Sequence, residues 1–581
     1  MAEGSVIQTS KSADLVTHKI LVNGEELSKQ YQVKTIQVSK EVNKIPTASL
    51  VLLDGEPSKQ DFQLSNEAFF TPGSEIEITA GYHSDEETVF KGLVIKHTIK
   101  IRNNGSYLMV ECKDEAVKMT IGKKSTYYYE AKDSSIIEEI IDTYGLQKEV
   151  ESTNHEHKEL VQYNCSDWDF MVSRAQANGK LCFIDDGMIT VAKPDITKES
   201  IETVTFGATM LDLDAEIDAR HQLTKITSYG WNYADQEIVE VEAKDPSISL
   251  NGNLTPGDLS DIMSLENYEL RHGGARTVTE LQDWGDARWL FHQLAKVRGR
   301  VKFQGIPAVK PGEIITLSGV GDRFNGKVYV TGVQHHLAEG NWTVDVQFGM
   351  NPTWFSETYD INPLPASGLI TGVCGLQVGI VSQLEEDPDG EDRILVQIPI
   401  INTEEQGIWC RVATLDAGEN RGSFFRPEIS DEVIVGFIND DPNDAIVLGM
   451  LHSSAKPAPI SATDDNHEKG FITRSEMKLL FDDDKKSITI ETPTGKKVIL
   501  DEDAGTIVIE DDHANVITMD DSGVTMESAG DINVSATGDV IIEGTNINLK
   551  ANASLKGEGT SGVEMSSSAT AVLKGSLVQI N

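Results

Sequence analysis

No stretch of this sequence approaches the roughly 20 apolar residues that a membrane-spanning helix requires, so no such span is expected. The segment Met1 to Ile20 is polar and has no apolar core of the kind a secretory signal peptide carries. Cysteine is sparse. The five residues Cys112, Cys165, Cys182, Cys374 and Cys410 are odd in number and scattered, with no CxxC pair and no Cys/His cluster. Neither a disulfide framework nor a zinc site is therefore indicated. Together these absences point to folding in a reducing cytosol, with any later exit from the cell made without a cleaved signal. Basic residues are also short: 50 Lys and Arg stand against 93 Asp and Glu, a formal net charge of −43. The excess is uneven, with 16 acids against 4 bases in residues 371–455 and 22 against 10 in residues 461–581. Such a field repels phosphate backbones and anionic headgroups, so nucleic acid is not an expected partner.

The last hundred residues repeat about every eight positions. Gly530-Asp531-Ile532-Asn533-Val534, Gly538-Asp539-Val540-Ile541-Ile542 and Asn546-Ile547-Asn548-Leu549 share one pattern, an apolar-x-apolar pair followed by small or polar residues. Looser versions lie upstream at Ile488/Ile490, Val498/Leu500, Ile507/Ile509, Ile517/Met519 and Val524/Met526. Alternation puts both side chains of a pair on one face of a short strand, and Gly, Asn, Asp or Ser then turns the chain. A single-chain solenoid needs about 20 or more residues per coil to enclose a core, and these units are too short. Three copies around an axis enclose the apolar stripe, so a trimeric β-helix or β-prism is expected over 473–581. The final residues Leu577, Val578, Gln579, Ile580 and Asn581 leave the stack uncovered, which points to a separate protein seated on that end.

Upstream, the chain is mainly β with a few helices. Strands are expected at His18–Val22, Tyr31–Val38, Ala48–Leu53, Glu75–Ala80 and Val89–Ile101, a barrel or sandwich. Helices are expected at Ser134–Tyr144, Ser166–Ala177 and Leu281–Val297, the last with Trp284, Trp289 and Leu294 on a buried face. Pro352, Pro363 and Pro365 mark a joint over Asn351–Leu369. Beyond it, Gly375–Ser382, Ile394–Pro399, Gly407–Ala413, Glu432–Phe437 and Ala445–Met450 supply the five strands of an OB-type barrel. The domains expected are thus 1–360, 371–455 and 473–581.

Ile408-Trp409-Cys410-Arg411-Val412-Ala413, Gly422-Ser423-Phe424-Phe425-Arg426-Pro427-Glu428-Ile429, Asp431-Glu432-Val433-Ile434-Val435-Gly436-Phe437 and Asp440-Asp441-Pro442 through Gly449 form one run. It resembles the spike-base module of the VgrG family of type VI secretion and its counterparts in phage tails and extracellular injection particles. Gln162-Tyr163-Asn164 with Ser166-Asp167-Trp168-Asp169-Phe170-Met171 resembles a helix of the phage-hub-like part, and Gly326-Lys327-Val328-Tyr329-Val330 with Val333 and His335 resembles its later barrel. The resemblance implies a homotrimer assembled in the cytoplasm and then secreted as part of the machine. Its hub-like base would meet an Hcp-like inner tube and baseplate proteins, with an OB neck and an outward prism. It also implies a PAAR-type tip protein on the C-terminal end and a mechanical role: puncturing a target envelope and delivering effector cargo. The alternative is a trimeric adhesive fibre that binds a receptor through its N-terminal region. A head preceding the stalk favours the spike.

Catalytic, cofactor and metal residues are not expected. Gly321-Asp322-Arg323-Phe324-Asn325-Gly326-Lys327-Val328 is one residue short of a P-loop, and its flanks read as strands, so it is a hairpin turn. His335 and His336 fall on opposite faces of a strand and cannot share an ion. His513, Asp511/Asp512 and Asp482–Asp484 lie in the repeat with no cleft beside them. The 453–471 joint is too short for an inserted enzyme domain.

Overall fold

The computed structural model describes Leu15–Ile580, so Asn581 and residues 1–14 of the polar N-terminus lie outside the described residues. Two compact units divide at Gly372/Val373. The first is built on one thirteen-stranded sheet. The two strand regions that read separately in the sequence are continuous in it. Val33–Glu41 pairs antiparallel with Gly326–Ala338, bringing Ile36 opposite Leu337 and Val38 opposite His335. Strict alternation in Val33–Glu41 and Thr47–Leu53 buries Ile36, Val38, Ala48, Leu50 and Leu52 on one face, the period-2 pattern of a half-buried sheet. A second core, from Val297 through Phe348, fills the other half of the sheet.

Helices Asp133–Thr143 and Asp167–Ala177 pack around Ile136, Ile137, Ile140, Met171 and Val172. The Ser166 hydroxyl caps the second by accepting from the Asp169 N–H at 3.1 Å. The long helix runs over Val278–Leu294, shifted from the expected Leu281–Val297. It starts earlier because Thr277 and Glu280 form a reciprocal capping box. It ends earlier because Val297 opens a strand, Val297–Gln304. Trp289 is buried with Trp284 half-buried in one core, whereas Leu294 is buried in another beside Phe291 and Tyr329, so the expected single buried face is divided between two cores. Helix Pro256–Met263 was not read from the sequence, although its Thr255/Asp258 capping box and leading Pro256 are the local start signals. The proline-bearing joint is only partly a linker: Trp354 and Phe355 are buried, and the Phe355 N–H donates to Gln176 Oε1 at 2.8 Å.

In the second unit, Gln377–Gln383, Ile394–Gln397, Ile408–Val412, Glu432–Phe437 and Ala445–Met450 close a five-stranded barrel around Val381, Ile394, Val396, Val433, Val435 and Val447. Gly407 is required there. Its φ is +107°, and a Cβ would sit 2.1 Å from the Val396 carbonyl oxygen. Seven five-residue strands follow in a simple antiparallel meander from Glu468–Ile472 to Gly523–Glu527. The repeat therefore divides at Glu527. Upstream units have room for a five-residue strand and a reversing turn, so they pair within the chain. The eight-residue units of 528–580 have no strand assigned in the single chain. Among the described residues no helix is long and apolar enough to cross a membrane.

Candidate assembly face and a buried polar centre

The meander presents a face built from two continuous apolar rows. Across the strands, Phe481, Ile488, Leu500, Ile507, Met519 and Val524 stand opposite one another in turn. Beside them run Phe471, Leu479, Ile490, Val498, Ile509, Ile517 and Met526. The other face alternates charge along one margin: Lys478 reaches Glu491 at 3.1 Å, and Lys497 reaches Glu510 at 3.4 Å. Cross-strand pairs of this kind contribute about 0.2–1 kcal/mol each, enough to fix register. They do not cover the apolar rows. Ile490, in the middle of the sheet, remains 50% exposed in the single chain. Contiguous apolar surface of this extent makes the sheet a candidate interaction face.

Aspartates close the turns between these strands. Asp482 Oδ1 accepts from the Asp484 and Lys485 N–H groups, Asp501 Oδ1 from Ala504, Asp511 Oδ1 from His513 and Asn515, and Asp520 Oδ1 from Ser522 and Gly523. The clustered carboxylates of the repeat are thus turn clamps, which explains their period. Asp511, Asp512 and His513 meet at one such exposed turn, with His513 Nδ1 at 2.9 Å from Asp512.

The near-P-loop segment is a hairpin connection: Ile314–Ser318 pairs antiparallel with Gly326–Ala338 across it. No helix N-terminus follows to meet a phosphate. His335 and His336 do part to opposite faces, His335 buried and His336 exposed. Trp342 Nε1–H donates to His335 Nδ1 at 3.3 Å, which requires that nitrogen unprotonated. Burial, with the nearby Lys40 ammonium, pushes His335 down to about 3. Burial likewise pushes His292 on the long helix down to about 4, against the bond that its Nδ1 makes to the His221 carbonyl.

These two histidines set an acid dependence. The unfolded chain takes up their protons near pH 6.5, whereas the folded chain does so only below about 4 and 3. Stability is therefore full above pH 6.5 and is lost as pH falls below it. Each histidine is expected to cost about 2 kcal/mol between pH 7 and pH 5. Urea unfolding at both pH values checks this, with His335→Gln expected to lose about half of the dependence. An unchanged slope in that variant would refute it.

The helical part of the first unit holds a polar centre. Asp133, almost fully buried, receives Arg174 through Nε at 2.6 Å and Nη2 at 2.9 Å, Asn178 Nδ2 at 2.9 Å and His157 Nε2 at 3.1 Å. Burial works to raise the carboxyl, and these donors outweigh it and hold it well below the usual range. None of these residues was singled out from the sequence. His155-Glu156-His157 was a legible signal, because residues i and i+2 of an extended segment share a face.

Of the tip residues, Leu577 is 81% exposed and Ile580 88% exposed in the single chain, with Val578 and Gln579 exposed between them. Asn581 lies outside the described residues. The five cysteines are free thiols, with Cys112, Cys182 and Cys410 buried.

Comparison with known proteins follows the same division of the chain. A family model described as the Alg8 N-terminal domain matches residues 12–339, and one described as the Type VI secretion system/phage-baseplate injector OB domain matches 377–452. The type VI secretion system spike protein VgrG1b of Pseudomonas aeruginosa is 25% identical over 201 residues, 32% of this chain and 26% of that protein. VgrG3 of Vibrio cholerae is 35% identical over 75 residues, 13% of this chain and 7% of that protein. These alignments span about a quarter or less of the length of those relatives. The crystal structure of the prophage MuSo2 43 kDa tail protein from Shewanella oneidensis superposes with a TM-score of 0.44 at 10% identity, covering 58% of this chain and 98% of that one. The chain belongs to the Alg8 N-terminal domain family, carries an injector OB domain of the type VI secretion/phage-baseplate kind over 377–452, and is similar in part to VgrG spike proteins.

Proposed function

We propose that this chain is the central spike of a contractile injection system and acts as a homotrimer with a mechanical, non-enzymatic role. The observation that carries the reading is the uncovered pair of apolar rows on the 468–527 meander. A single-layer sheet cannot shield such a face itself, and three identical sheets facing one axis bury it completely. In this reading residues 1–360 form the base that meets an Hcp-like inner tube and the baseplate, 371–455 the neck, and 473–581 the prism. The surface formed by Leu577, Val578, Gln579, Ile580 and Asn581 receives a PAAR-type tip protein. Contraction then drives the spike through a target envelope with its effector cargo.

The purified chain is expected to run in light scattering at three times the 63.6 kDa of one copy. A folded monomer would end the proposal. Truncation before Leu577 should leave the trimer intact and abolish co-purification of the tip protein. Retained tip binding would move that docking surface elsewhere.

A further inference from the structure

We infer that His155, His157 and Glu280 form a zinc-class transition-metal site that ties the start of strand Glu156–Cys165 to the first turn of helix Val278–Leu294. His155 and His157 extend from the same side of the chain, with ring centroids 4.6 Å apart in an edge-to-face contact. His155 Nε2 lies 3.7 Å from Glu280 Oε2, and His157 Nδ1 lies 4.0 Å from Glu280 Oε1. One ligand atom from each of the three residues falls within 4.8 Å of the others. An ion with bonds of about 2.0–2.2 Å in tetrahedral geometry separates its ligands by roughly 3.3–3.5 Å, so closure needs only small rotations.

The outer contacts are those that orient metal-binding imidazoles. His157 turns Nε2 to the buried Asp133 carboxylate at 3.1 Å, with Arg174 Nη2 3.3 Å from the same nitrogen; as the Nε2–H donor to Asp133 it presents the Nδ1 lone pair to Glu280. His155 Nδ1 meets Thr277 Oγ1 at 3.3 Å, leaving Nε2 toward the same point. Glu280 is held by the backbone N–H of Thr277 at 2.9 Å, so a helix cap positions the third ligand. Two cations stand nearby. Arg174 is neutralised by Asp133, and Arg276, partly exposed and 4.0 Å from Glu280, is also held by the Ala275 carbonyl at 2.9 Å and by His272 Nε2 at 3.2 Å. His155 and Glu280 line a cleft of about 170 Å³, with space for water as fourth ligand. Two imidazoles and a carboxylate suit zinc or cobalt, not calcium or magnesium, which take oxygen ligands.

The test uses the full chain, stripped with chelator and titrated with Co²⁺ and then Zn²⁺. One Co²⁺ per chain is expected, with visible ligand-field absorption that Zn²⁺ abolishes. Glu280→Gln retains the capping geometry and His155→Gln removes one imidazole, so each should weaken binding by about 100-fold. His272→Gln in the same cleft and His513→Gln at the exposed acidic turn should bind as the parent does. Circular dichroism and urea unfolding confirm that each variant is folded. Absence of a Co²⁺ spectrum, parental affinity in both Glu280→Gln and His155→Gln, or loss of the ion in His513→Gln would each overturn the site.

Discussion

Replacing Ile490 by aspartate is expected to abolish assembly of the chain while leaving its two compact units folded. Ile490 sits mid-row between Leu479 and Val498 on the uncovered face of the meander, away from the turns. In a threefold arrangement its three copies approach one another at one level of the axis. Because Ile490 is already half covered in the single chain, the substitution forfeits about 0.8–1.5 kcal/mol of apolar burial per copy on assembly and adds about 1–3 kcal/mol for a buried unpaired polar group. Over three chains this amounts to roughly 10 kcal/mol, on the order of a 10⁷-fold loss in the assembly constant. Light scattering should report single chains or disordered aggregates. Thr525→Lys, exposed on the opposite face, should leave the mass unchanged. An Ile490→Asp chain that kept the parental mass would show that this face is not the interface.

The second large effect is expected at Asp133. Its carboxylate receives Arg174, Asn178 and His157 inside the helical part of the first unit. Asp133→Ala would leave a partly buried guanidinium and an almost fully buried imidazole without their acceptor. Removing one partner of such a pair costs about 3–5 kcal/mol, because the desolvated charge that stays behind is no longer compensated. Asp133→Asn keeps one acceptor oxygen and should fall between the two. The folded carboxyl is held below its usual range, so its stabilisation is present above the unfolded value of about 3.8 and is lost only as pH falls through the folded one. The carboxylate therefore stays ionised from pH 5 to pH 8 and adds no acid dependence of its own in that range, unlike His335 and His292. A loss below 1 kcal/mol in urea unfolding would show that the network is not a structural tie.

Legibility followed the range of each signal. The five OB strands read closely because each is an apolar run bounded by strong turn residues, as in Asp387-Pro388-Asp389-Gly390, where Arg393 locks the turn by bonding to Asp387. The helix Asp167–Ala177 read to within a residue because Ser166 is a local cap. Pairing of Val33–Glu41 with Gly326–Ala338 was not legible, since nothing local in either strand names a partner some 300 residues away. The end of the long helix was misplaced for a related reason. Val297 fits a helical stripe, yet a strand that pairs with Met210–Ile217 and Asn341–Phe348 claims it.

What the sequence determined by itself was the apolar-x-apolar period and its division of labour between two faces, on which the proposal of partner chains rests, because alternation and turn chemistry act over a few residues. Only the tertiary structure decided that the upstream repeats pair into one antiparallel meander, and that His155 and His157 meet Glu280 over Asp133. Those outcomes depend on which distant strands and helices pack together, a choice made by the burial of whole faces rather than by any neighbouring residue.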